Sequence, residues 1–141
     1  MNKEDVRLSL NRFLKMYFDA CREVYSEINF DRITKIQFKY LKAIKKLEKT
    51  TLTELSELFH ISKPSINEVI TKFEKSGLIQ KVKSEQDKRI TYISLTVIGN
   101  TLATTNMLES QRAVEKIIGK LDDEEVTDLV ALFDKFGDEE L

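Results

Sequence analysis

Along most of this chain apolar side chains return every third or fourth residue, the spacing of one face of an α-helix; in one stretch the period falls to two. From Lys3 to about Asn29 the positions Leu10, Leu14, Tyr17, Cys21, Val24 and Ile28 make a stripe. Phe13, Phe18 and Tyr25 widen it well beyond one face, so this helix is expected to have more than one packing partner. A second helix is predicted from about Thr34 to Glu48, with Ile36, Phe38, Tyr40, Leu41, Ile44 and Leu47 as its apolar positions. Lys42, Lys45, Lys46 and Lys49 gather toward its C-terminal end, where cations suit the helix dipole. Those lysines either face phosphate or solvate the helix end.

The centre of the chain reads as two short helices and a hairpin. Thr51 or Thr53 caps the first helix, Glu54 places a carboxylate in its positive first turn, and Leu55, Leu58 and Phe59 supply its apolar face, which stops at His60-Ile61. Ser62 caps the second, with Lys63 and Pro64 in the first turn, and Ile66, Val69, Ile70 and Phe73 fall at i, i+3, i+4 and i+7. That helix is predicted to run to about Ser76, where Gly77 ends it in a left-handed conformation. So short a connection sets the pair at a steep angle, a helix-turn-helix. Leu78, Ile79, Lys81 and Val82 then form a strand, Lys83 to Arg89 a charged tip, and Ile90, Tyr92 and Ser94 alternate with Thr91, Ile93 and Leu95 in a second strand. The prediction is a two-stranded hairpin, or wing.

Beyond the wing, Thr96 is expected to cap one long helix through Leu102, Met107, Leu108, Val114, Ile117 and Ile118, with a polar middle at Thr104 to Asn106 and an end at Gly119 to Leu121. Asp122 caps a final helix, with Glu124 and Glu125 in the first turn and Val126, Leu129, Val130, Leu132, Phe133 and Phe136 as its stripe. The expected fold is mainly α with a small β-hairpin. Residues 34–96 would form a winged helix-turn-helix DNA-binding domain. Residues 1–33 and 97–141 would form a helical dimerisation region, because the terminal helices carry more apolar surface than a small winged helix can cover.

At about 100° per residue the stripe of the second central helix centres on Ile66 and Phe73, which leaves Pro64, Asn67, Glu68, Thr71, Lys72 and Lys75 opposite. With Ser62, Lys63 and Ser65 in the first turn, this is a candidate DNA-reading face. Asn pairs with adenine N6 and N7, Thr meets a thymine methyl, and Lys reaches guanine or phosphate. Any surface helix is also polar on its outer side, so the face alone does not decide. At the wing tip Lys83, Lys88 and Arg89 suit phosphate contacts or a guanidinium in a narrow minor groove. Asp87 is placed to hold Arg89 in one orientation. Ordinary hairpin solubility is the alternative for the two lysines.

Asp87-Lys88-Arg89 followed by Leu95, Thr96 and Gly99 resembles the D-x-R…L-T-x-x-G wing signature of the MarR family of bacterial transcription regulators. Leu55, Ser62, Phe73, Gly77 and Leu78 also fit the pattern of that family's helix pair. The resemblance covers nearly the whole chain and implies an obligate homodimer. It also implies a pocket for a small aromatic ligand, for which Tyr17, Phe18, Tyr25, Phe38 and Tyr40 are candidates. Aromatic residues at helical spacing more often serve as core. Some family members sense oxidants through a cysteine in the first helix; Cys21 lies past the usual sensing position and on the apolar stripe, which favours a buried structural thiol. Where the family often has Thr followed by Arg on the reading face, this chain has Asn67 and Glu68. An acidic side chain there can accept from a cytosine N4 amine but is repelled by phosphates.

Composition narrows the partners. The 141 residues are 41% hydrophobic and 33% charged with a formal net charge of −1, which argues against a generic polyanion binder. Charge is segregated, however: lysines and Arg89 cluster between Lys63 and Arg89, whereas the end from Asp122 is mostly acidic, so a near-neutral total conceals a local basic surface. No run approaches the roughly 18 apolar residues of a membrane span, the N-terminus is too charged for a signal peptide, and one cysteine agrees with a reducing compartment. A cytoplasmic protein is expected. His60 is the sole histidine and has no Cys or second His at ligand spacing, so no metal is expected. Without a Gly-rich phosphate loop or a His partner for Cys21 or any Ser, no enzyme and no cofactor are expected.

The function that follows is a DNA-binding regulator acting as a homodimer. Its two recognition helices would enter successive major grooves about 10 bp apart, so the target would be an inverted repeat in double-stranded DNA. Repression, with release by a small molecule, is what the resemblance implies. The alternatives are a cysteine-based redox-sensing regulator and a winged helix that docks a basic protein through Glu68 and the acidic C-terminal helix.

Overall fold

The computed structural model describes residues 1–28, 30 and 33–137. In chain order the elements are α1 (Lys3–Ile28), α2 (Lys35–Leu47), β1 (Lys49–Thr50), α3 (Leu52–Phe59) and α4 (Lys63–Lys75). They continue with β2 (Ile79–Lys83), β3 (Thr91–Leu95), α5 (Val97–Ala103), α6 (Thr105–Ile118) and α7 (Asp123–Phe133), the last followed by a 3₁₀ turn. Asn29, the expected last residue of the first helix, and residues 138–141 of the expected terminal region lie outside the described residues. Two compact units are formed, one from Ile28–Asn106 and one from Met1–Glu27 with Met107–Leu141.

The central unit is built by local caps. Thr34 and Gln37 form a capping box at the start of α2, and Thr51 accepts from the Glu54 amide at 3.1 Å to start α3. Ser62 accepts from the Ser65 amide to start α4. Between α3 and α4, His60 takes a left-handed conformation (φ 54°), and the Ile61 amide donates to the Ser56 carbonyl at 3.2 Å. Gly77 (φ 74°) ends α4: its amide donates to Glu74 and that of Leu78 to Phe73, the paired bonds that close a helix at a left-handed residue. Leu41, Ile44, Leu55, Ile66, Ile70, Phe73, Leu78, Ile79 and Ile93 are buried here, so the apolar stripe of α4 points inward as its spacing predicts, whereas on α3 only Leu55 is buried, Phe59 is half-buried and Leu58 is exposed. On α2 the core takes only Tyr40, Leu41 and Ile44, whereas Ile36 and Leu47 are exposed.

The sheet has three strands, not the two of the expected hairpin. β3 is its centre: it pairs antiparallel with β2 from Ile79↔Leu95 to Lys83↔Thr91, and on its other side with β1 through Lys49↔Ser94 and Thr50↔Ile93. Two residues are too short to show a period, and their pairing is with a strand more than forty residues on. Thr50 is fully buried, and its hydroxyl donates to the Glu54 carboxylate at 2.8 Å, which ties this edge strand to the first turn of α3.

The single long helix expected after Thr96 is also divided. Thr96 does cap α5, but the helix breaks at Thr104 (φ −110°, ψ 8°) before α6 begins. Thr101, Thr104 and Thr105 each donate a hydroxyl hydrogen bond to a carbonyl three or four residues back, competing with the backbone ladder and favouring a bend.

In the other unit Asp122 and Glu125 form a capping box for α7, and Phe133 meets Phe13 of α1 edge-on with ring centroids 6.0 Å apart. α1 and α6 are joined by charge. Arg112 bonds Glu23 at 3.1 Å and Glu27 at 2.8 Å, and Lys116 reaches Glu23 at 2.6 Å. Val6, Leu8, Leu10 and Phe18 on α1, Val114 and Ile118 on α6, and Val130, Leu132 and Phe133 on α7 remain exposed. Among the described residues no helix is long and apolar enough to cross a membrane.

Candidate nucleic-acid interface

The outer face of α4 follows from its buried one. With Ile66, Ile70 and Phe73 in the core, Ser62, Lys63, Pro64, Ser65, Asn67, Glu68 and Lys72 are exposed, and Thr71 is half-buried. Glu68 and Lys72, one turn apart, form an exposed ion pair at 3.5 Å. A second pair, Glu74 with Lys81 of β2 at 3.4 Å, ties the last turn of α4 to the base of the wing. Lys75 is exposed and stands beyond it on the same helix.

The wing tip is a folded loop. Ser84 donates its amide to the Ile90 carbonyl, and Ile90 donates its own to Asp87, both at 2.9 Å, while the Ser84 hydroxyl accepts from the Asp87 amide at 3.2 Å. This fixes Asp87, whose carboxylate takes both Arg89 guanidinium donors at 3.0 Å and the Arg89 amide at 3.1 Å. The bidentate pair restricts a side chain that is still 90% exposed. The Arg89 guanidinium, and after it the Arg89 amide, holds the Asp87 carboxyl below its usual range, and the carboxylate raises Arg89 in return. Lys83 and Lys88 are exposed on either side of the loop.

Hydrophobic periodicity does not reveal Lys49, which β1 brings to the sheet edge. Its ammonium lies 4.5 Å from the Tyr92 ring centroid, a cation held over an aromatic face beside the wing. The one signal in the sequence is the β-branched Thr50 between a helix end and the capping Thr51. Between this edge, the start of α3 and the wing lies an open groove of about 600 Å³, lined by Thr51, Glu54, Lys81, Arg89 and Tyr92 among others.

The aromatic ligand candidates divide between the units. Tyr40 is buried and meets Phe59 edge-on at 4.6 Å, and Phe38 is half-buried in the same unit. Tyr17 and Tyr25 are half-buried and Phe18 is exposed on α1. Burial raises the Tyr17 phenol above its usual range, with smaller contributions from Cys21 and Glu109. Cys21 is 2% exposed, and its thiol donates to the Glu109 carboxylate at 3.1 Å. Among the described residues no three His, Cys, Asp or Glu side chains are grouped to hold a metal ion.

Residues 33–91, which span α2 through the wing tip, match the model of the MarR family. The homoprotocatechuate degradative operon repressor of Escherichia coli is 25% identical over 104 residues, 74% of this chain and 70% of that protein. Among solved structures, YusO of Bacillus subtilis superimposes with a TM-score of 0.66 at 19% identity, covering 94% of this chain and 92% of that one. A mutant of S. aureus MepR bound to an oligodeoxyribonucleotide also gives 0.66, at 17% identity and 96% coverage of both chains.

Proposed function

The chain belongs to the MarR family, and from that premise we propose that it is a sequence-specific DNA-binding transcription regulator. The observation that carries the reading is the wing: a guanidinium almost wholly exposed yet held by two bonds to Asp87, on a loop that also presents Lys83 and Lys88. A side chain so restrained loses little entropy on entering a minor groove, and the flanking cations suit phosphate. The same unit presents the polar face of α4, from Ser62 to Lys72, for base contacts in the major groove. The oligonucleotide on MepR and the repressor name of the E. coli relative accord with this reading.

The regulator acts as a homodimer in this proposal. Support comes from the apolar side chains left exposed on α1, α6 and α7, a surface larger than isolated surface residues account for. Two-fold symmetry then requires an inverted-repeat operator with half-sites about one helical turn apart. Repression, and release by a small aromatic molecule, are the regulatory mode we infer from the family. Residues 34–96 supply the DNA contacts and the terminal helices the dimer.

The test is selection of bound fragments from a randomised DNA pool, with the mass of the protein in solution measured on the same sample. Enrichment of an inverted repeat by a dimer is the expected result. No enrichment and no binding at low salt would overturn the reading and leave a protein-docking winged helix in its place.

A further inference from the structure

Glu68 stands where a DNA-reading helix has little use for a negative charge. It follows Ile66 by two residues, about 200° round the helix, close to the pole opposite the buried stripe. Its carboxylate is 72% exposed and is held by the Lys72 ammonium one turn on at 3.5 Å. Glu placed N-terminal to Lys at this spacing is the favourable orientation. Glu74, the other acid on α4, is tied to Lys81 at the base of the wing, so Glu68 is the acid that remains at the middle of the outer face.

Resting on the DNA-binding reading, we propose that the Glu68–Lys72 pair sets operator specificity by reading a cytosine. In the major groove cytosine presents an N4 amine donor, and a carboxylate is the side chain that accepts from it. Lys72 is the positioning residue: it holds the carboxylate in one rotamer and offsets its charge against the phosphates on either side. A carboxylate accepts only, so guanine, which shows two acceptors in the same groove, is rejected at that position. Every operator half-site therefore carries a C·G pair beneath the middle of α4, at a position Glu68 fixes.

The experiment starts from the inverted repeat recovered by pool selection. Each cytosine of one half-site is replaced in turn by N4-methylcytosine, which keeps the C·G pair but puts a methyl in place of the amine hydrogen facing the major groove. Wild type, Glu68→Ala and Lys72→Ala are titrated against each duplex. Both substitutions lie on the exposed face, and an unchanged helical spectrum checks the fold. The expected result is one cytosine whose methylation weakens wild type roughly tenfold or more but leaves Glu68→Ala unaffected, with Lys72→Ala intermediate. The inference is overturned if Glu68→Ala binds every duplex more tightly with its base preferences intact, because Glu68 would then act only by repelling phosphate. Failure of wild type to enrich any sequence would instead remove the DNA-binding reading, and this inference with it.

Discussion

Gly99 in α5 lies hard against the backbone of Leu78, three residues beyond the end of α4: a β-carbon added at Gly99 would sit 1.9 Å from the Leu78 carbonyl oxygen. That same oxygen accepts the Thr96 amide at 3.0 Å, and the Thr96 hydroxyl accepts from the Gly99 amide at 3.1 Å while donating to the Gly77 carbonyl. The threonine and glycine of the L-T-x-x-G signature thus clamp the exit of the wing onto the exit of α4. Gly99→Ala meets main chain that cannot swing aside and is expected to cost about 2–3 kcal/mol or more. Gly77→Ala meets nothing within 4 Å and suffers only its positive φ, about 1 kcal/mol. Urea unfolding of the two variants checks the ranking; equal midpoints would mean that α5 can shift away from Leu78 at little cost.

What the sequence makes legible here is what acts locally. Ser62, Thr96 and Asp122 announce their helices because a side-chain oxygen just ahead of an apolar run satisfies amides within three residues. The Asp87–Arg89 pair is likewise two residues apart. β1 is hidden because its stability comes from Ser94 and Ile93 on a distant strand, and no two-residue segment carries a period. The break at Thr104 leaves only the polar run Thr104 to Asn106 in the sequence, which does not tell an interruption from a solvated turn of one helix, and the threonine hydroxyls that favour a bend leave no mark on the apolar spacing. Cys21 shows the same limit: its stripe position announces burial, but its partner Glu109 lies 88 residues away.

The wing separates charge from orientation. Arg89→Ala and Lys88→Ala each remove a cation, so affinity should fall for all DNA sequences, and the salt dependence should flatten by about one unit for each phosphate left without its cation. Asp87→Ala keeps Arg89 and removes the carboxylate that grips it. It should weaken operator binding through the freed guanidinium without flattening the salt dependence. Binding isotherms at several salt concentrations make the distinction, and tighter operator binding by Asp87→Ala would show that the carboxylate repels phosphate more than it orients Arg89.

Glu23 gives a pH prediction. The Lys116 ammonium, and after it the Arg112 guanidinium, hold its carboxyl below the usual glutamate value in the folded state. A depressed folded pKa contributes stability that is fully present above the unfolded value and is lost as pH falls through the folded one. Glu23→Gln should therefore lower the thermal midpoint near pH 7, and the gap to wild type should close in acid, below the ordinary glutamate range. Thermal scans at pH 7 and pH 3 test this. A gap that stays constant would mean that the amide is punished for packing and not for charge.

Cys21 decides between a structural thiol and an oxidant sensor. Reaction of a cysteine with peroxide or a disulfide reagent requires the sulfur to meet solvent, and Cys21 is 2% exposed with its thiol hydrogen-bonded to Glu109. In the native protein labelling by a disulfide reagent should be slower by orders of magnitude than in denaturant, because it waits for local opening. Cys21→Ser should leave DNA affinity and its response to mild peroxide unchanged. The decisive measurement is operator binding before and after peroxide in wild type and Cys21→Ser. A loss of affinity confined to wild type would make Cys21 a sensor despite its burial, and would require α1 and α6 to part often enough for oxidant to enter.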